Sequence, residues 1–247
     1  MKRAGWKVVF ALGLTAVSLV LYGAFYAFAR DSREVWASFL ANAAFVPIFV
    51  LMATLVFEEV ITWRERRERI QRLHMVIGAF FSEVGASLLA RLASFDGDRE
   101  NTKPRLVVAD DWTHKDFISG RRRLQAGAFE IDARAGDLTA LGAFLASKRV
   151  FLLRLLENPS LLEHESFTDL LWAVFHISEE LSLRVDLATL APADFRHLSH
   201  DIQRAYALLT VEWLAYLEHL KTAYPFLYSL ARRTNPLDPA ASAAITD

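Results

Sequence analysis

The sequence predicts an all-α membrane protein: an N-terminal two-helix transmembrane hairpin whose second helix continues into a cytoplasmic stalk that packs on a helical bundle. Three observations carry this expectation. Two uncharged apolar runs, residues 8–29 and 35–57, each have the length of a membrane-spanning helix. An arginine-rich stretch follows the second run with no Pro or Gly before Gly78. Beyond it, apolar residues recur at helical spacing and no strand pattern is evident. The expected organisation is a hairpin over 1–60, a stalk over 61–96, a hydrophilic insert over 97–136, a bundle over 137–234 and a disordered tail over 235–247.

Composition narrows the function classes. A formal net charge of −1 over 247 residues argues against nucleic acid as a partner. With no cysteine, the chain has no disulfide, thiolate metal site or cysteine nucleophile. Any metal would be held by His and carboxylates, and the sequence requires no cofactor.

Taken in order, 8–29 would span roughly 33 Å as a helix, enough for the hydrocarbon core. Its Lys2-Arg3 start and Ala27-Phe28-Ala29 end imitate a cleaved signal peptide, but the apolar region is longer than such peptides carry. Only Arg30 to Glu34 separate the two apolar runs, so the helices are expected to be antiparallel. Lys2, Arg3 and Lys7 before the first run, and the arginines after the second, put both termini on the cytoplasmic side of an inner or plasma membrane. Trp6, Trp36 and Trp63 sit where an interfacial aromatic belt belongs. Within the second run, Asn42 and Pro47 are candidate pore or packing residues: the amide wants a partner in lipid, and the proline frees a carbonyl.

In the stalk, Arg64, Arg66, Arg67, Arg69 and Arg72 form a cluster suited to anionic lipid head groups, at about 1 kcal/mol per charge. Apolar residues then recur at Ile70, Leu73, Ile77, Phe80, Val84, Leu88, Leu92 and Phe95. This seam requires burial, either against a second copy or against the chain's own bundle. Gly78 and Gly85 disfavour a helix unless something approaches closely. Glu83 lies between them, and two readings stay open for it: a buried, raised-pKa carboxylate or a salt-bridged surface residue. Arg69 to His74 also fits the R-x4-H spacing of small helical ribonucleases of the HEPN class, a short pattern that a charged run matches easily.

The insert is expected to hold one short helix, starting after Asp110-Asp111 and ending near Arg121 to Leu124. Asp137 should cap a helix reaching Glu157, and Ser166 with Asp169 should cap the next, which is apolar on nearly every side and expected at the centre. Pro192 opens a helix running to about Ala223, and Pro225 opens a last short one ending at Arg232-Arg233.

His176 and Glu179 on the central helix, with His197 and His200 on the next, are the candidate metal ligands, since facing helices offering His and carboxylates build metal sites in bundles. The group from His197 to Asp201 is expected to point to solvent, opposite the apolar stripe of its helix. There is no G-x-S-x-G, phosphate-binding glycine loop or H-E-x-x-H.

The segments HMVIGAFFSEVGASLLARLASFD, ENPSLLEHESFTDLLWAVFHISEEL and HLKTAYPFLYSLARRTNPLDP resemble an uncharacterised bacterial and archaeal family of two-transmembrane-helix proteins. The resemblance implies a helical cytoplasmic domain behind a membrane hairpin and brings no catalytic residue. The resulting expectation is a homo-oligomeric, channel-like or sensor/scaffold assembly with a regulatory bundle, open to a soluble partner or small ligand. Two alternatives stay open: a membrane-tethered metal-binding enzyme, and a monomeric anchored interaction module.

Overall fold

A computed structural model describes residues 16, 20, 23–24, 26–27, 32–98, 107–127, 129–162, 164–238 and 241–244, with the side chains of some helical residues left aside. Among these the protein is all-α, with eight α-helices: α1 Ser32–Phe80, α2 Ala86–Leu92, α3 His114–Ala126, α4 Leu138–Leu156, α5 Pro159–Leu162, α6 Glu165–Ser182, α7 Pro192–Ala223 and α8 Pro225–Arg233. A π-helical turn, Phe81–Gly85, joins α1 to α2, and a 3-10 turn, Ala93–Phe95, follows. The only pairing of extended backbone among the described residues is the isolated antiparallel bridge between Asp96 and Ile131.

Two compact units divide the chain, Met1–Arg66 and Arg67–Asp247, and the boundary falls inside α1. In the first unit, the expected span 8–29 lies outside the described residues apart from isolated positions, so no hairpin is seen. The described part of α1 exposes large apolar side chains: Trp36, Phe39, Val46, Phe49, Met52, Leu55, Val56, Phe57, Val60, Ile61 and Trp63. One described helical stretch, Ile70–Phe95, is long and apolar enough to cross a membrane. Its burial identifies it instead as a core element of the second unit, because Ile77, Phe80, Phe81, Val84, Leu88, Leu89 and Leu92 are each 5% exposed or less.

The second unit is built around α7, which packs against α2, α3, α6 and α8 as well as the π turn. This corrects the expectation that the preceding helix is central. α6 packs on α7 and α4, yet it leaves Trp172 59% exposed along one edge. The stalk seam from Ile77 to Phe95 is filled by the chain's own bundle, leaving Ile70 exposed at its start. A coiled coil with a second copy through that part of the seam is therefore ruled out by occupancy.

Two consecutive phenylalanines enter one core at the start of the π turn. Successive residues of an α-helix point about 100° apart, so one of a pair normally faces away. Here the Ala86 N–H bonds Phe81 O, five residues back, and both rings are buried. Phe80 meets Phe167 edge-on, centroids 5.1 Å apart, while Phe81 stacks on Tyr216 at 4.7 Å. Gly85 makes the room: a Cβ there would lie 2.5 Å from Phe81 Cδ1 and 2.8 Å from Phe80 Cε1. At Gly78 a Cβ would meet only Tyr216, at an ordinary 3.8 Å.

Several helix ends differ from expectation. Asp137 does cap α4, accepting from Ala140 N at 2.8 Å. α3 does start after Asp110-Asp111, under a capping box in which Asp116 accepts from both the N–H and the hydroxyl of Thr113. These bonds hold the Asp116 carboxyl below its ordinary pKa. Ser166 is not the cap of α6: His164 Nδ1 accepts from Phe167 N. The Ser166 hydroxyl instead donates to Glu212 at 2.6 Å, satisfying a carboxylate that is 5% exposed. The segment expected as a disordered tail starts inside the fold, with Asn235 and Leu237 each 2% exposed and Ser242 N donating to Arg233 O at 2.9 Å.

Candidate functional site

α6 and α7 meet along facing surfaces, and each carries a histidine followed one turn later by a carboxylate: His176 with Glu180, His197 with Asp201. Residues four apart share a helix face, so the packing brings two such pairs together. His176 Nε2 stands 3.4 Å from Asp201 Oδ2, and His197 Nε2 stands 3.3 Å from the same oxygen. His197 Nε2 is also 3.4 Å from Glu180 Oε2, and His176 Nε2 is 4.0 Å from Glu180 Oε1.

The environments differ sharply. Both imidazoles are about half exposed, whereas the Asp201 side chain is 4% exposed. Its Oδ2 is fully covered and makes no hydrogen bond, despite the two imidazoles at ion-pair distance. Arg204 Nη2 lies 3.7 Å from the other oxygen, Oδ1. Arg184 pairs with Glu180 Oε2 at 2.5 Å and with Asp194 at 3.3 Å. Its hydrogen bond holds the Glu180 carboxyl below the usual range, with burial working the other way. The result is two imidazole nitrogens and two carboxylates on rigid helices, open to solvent on the histidine side.

The fold separates the four expected candidates. His176 and His197 are brought together. Glu179 is not: it sits beside Arg149 at 3.6 Å, whose guanidinium lies over Phe175. His200 lines a separate surface cleft with Asp132, Arg134, Arg196 and Gln203. Glu180 and Asp201 take their places, and the expectation that Asp201 faces solvent is overturned by its burial against the core. The matching H-x3-E and H-x3-D spacings were the signal for this pairing.

The remaining candidates separate. Glu83 is a surface residue, its carboxylate 59% exposed and 3.4 Å from Lys148 Nζ, so the buried-carboxylate reading falls. Arg64, Arg67 and Arg72 are exposed, as is Asn42, while the side chains of Pro47, Arg66 and Arg69 lie outside the described ones. Arg121, from the insert's arginine triplet, pairs with Glu218, as does His114. His74 of the R-x4-H pattern stacks on His219, rings 3.5 Å apart. Burial first, then His219 and His164, lowers its pKa to about 4, so the ring is neutral near pH 7.

Comparison with known proteins gives relatives on both sides of the chain. Residues 69–233 match the model of a family described as "Uncharacterized protein MJ1433, C-terminal helical domain". Residues 2–61 match "MJ1433, N-terminal helical domain". The chain is 41% identical over 238 residues, 96% of each sequence, to uncharacterized protein MJ1433 of the archaeon Methanocaldococcus jannaschii. No solved structure matches it.

Proposed function

The chain belongs to the MJ1433 family of helical domains, and from that premise we propose that it is a membrane-anchored, self-associating helical protein whose bundle serves as the cytoplasmic regulatory or scaffold part. One observation carries the reading. In α1, Leu55, Val56 and Phe57 are consecutive and all more than half exposed, as are Phe49, Met52 and Ile61. Three successive helical residues cover most of the helix circumference, so the exposed apolar surface is not a stripe awaiting one core. A helix apolar all round needs an apolar surrounding, which a bilayer supplies.

The proposed arrangement is a two-helix hairpin over 8–29 and 35–57 in the inner or plasma membrane, with both termini cytoplasmic. The exposed Arg64, Arg67 and Arg72 suit anionic head groups just beyond it. Since the seam from Ile77 onward is already filled, self-association falls to the exposed apolar segment of α1. A channel-like assembly is the form such packing takes if a pore opens at its centre.

Native mass spectrometry of the full chain in lipid nanodiscs tests this. The expected result is a lipid-embedded particle of one closed stoichiometry. A protein that stays in buffer without lipid would overturn the anchor, and an embedded monomer would overturn the self-association.

A further inference from the structure

We propose that His176, His197 and Asp201, with Glu180 Oε1 as fourth donor, form a binding site for a divalent transition-metal ion, with Zn2+ the best match to the donor set. The site lies wholly on α6 and α7 and does not depend on the membrane reading above. Its three nearest donors, His176 Nε2, His197 Nε2 and an Asp201 oxygen, all fall within 4.8 Å of one another. Four-coordinate Zn2+, with bonds of about 2.0–2.1 Å, sets its ligand atoms about 3.3–3.4 Å apart. The two histidine nitrogens stand 3.4 and 3.3 Å from Asp201 Oδ2.

The buried oxygen discriminates this from an ordinary ion-pair cluster. A carboxylate oxygen shut from water and left without a hydrogen bond is costly. In a salt-bridge cluster the imidazole N–H groups would donate to it, yet neither does. Two imidazole Nε2 atoms facing a buried carboxylate oxygen that makes no hydrogen bond are the donor types a transition-metal ion takes. Arg204, near Oδ1, and Arg184, on Glu180 Oε2, engage the oxygens that would not ligate and so orient those that would. Two nitrogen donors disfavour Ca2+ and Mg2+, which take oxygen ligands.

The test uses the full chain without affinity-tag histidines, stripped by chelator and titrated with Co2+ and then Zn2+. The expected result is one equivalent of Co2+ with the visible absorption of a four-coordinate ion, displaced by Zn2+, and a higher Tm with Zn2+ bound. His176→Ala, at a half-exposed position whose loss leaves the core intact, should weaken binding by at least about 100-fold. Asp201→Asn should do likewise, with circular dichroism confirming its fold. His200→Ala and Glu179→Gln should bind as the unaltered protein does. Absence of saturable one-to-one binding, unaltered affinity in His176→Ala, or equal loss in His200→Ala would each overturn the site.

Discussion

Single side chains decide the two most specific claims, and they differ in how far the sequence announced them. The spacing that joins His176 to Glu180 and His197 to Asp201 is plain in the sequence. The direction of Asp201 was not, because an acidic residue among histidines reads as the solvent face. Yet Asp201 stands three residues after Leu198 and four before Ala205, both fully buried, so its helix face is a core edge. His74 makes a separate prediction. Its folded pKa, lowered to about 4 by burial and by His219 and His164, lies below the 6.5 of an unfolded chain. The unfolded state therefore binds the proton first as pH falls. Stability from this group is full above about 6.5, declines between there and about 4, and is flat below. Denaturant unfolding across that range should show a shallower acid loss in His74→Gln than in the unaltered protein; matching slopes would refute the assignment.

At the scale of elements, periodicity revealed the helices well and their partners poorly. The seam from Ile77 to Phe95 follows the 3-4 spacing that also describes coiled coils, and only packing shows that α7 and α6 fill it. Caps divide in the same way. Asp137 is a common cap and was read correctly, while His164 is an uncommon one and was passed over for Ser166, which serves Glu212 instead. The π turn left a trace in Phe80-Phe81 and Gly85, and its reason is local: Gly85 yields to rings of its own helix. Gly85→Ala should therefore destabilise the protein by about 1–3 kcal/mol through overpacking. Gly78→Ala, with open contact to Tyr216, should stabilise it by up to about 1 kcal/mol through helix propensity. Thermal unfolding of the two variants checks the pair, and equal effects would remove the structural role given to Gly85.

On the scale of the whole molecule, a helix with exposed apolar side chains on all sides leads into a bundle that satisfies its own core. The sequence pointed to both halves, through the uncharged run 35–57 and the regular leucines of α4 and α7. Ile70–Phe95 is apolar and long enough to cross a membrane yet is covered by the bundle, whereas the large apolar side chains described within 35–57 are exposed, a difference that periodicity alone does not carry. The central claim is the anchor, and the absence of native cysteine allows a direct measurement. Single cysteines placed by Ser32→Cys, between the proposed spans, and by Arg122→Cys, at an exposed position of α3, are treated in intact cells with a membrane-impermeant maleimide. The account predicts that position 32 is labelled in intact cells and position 122 only after lysis. Protection of both positions until lysis, with the protein recovered free of membranes, would contradict it.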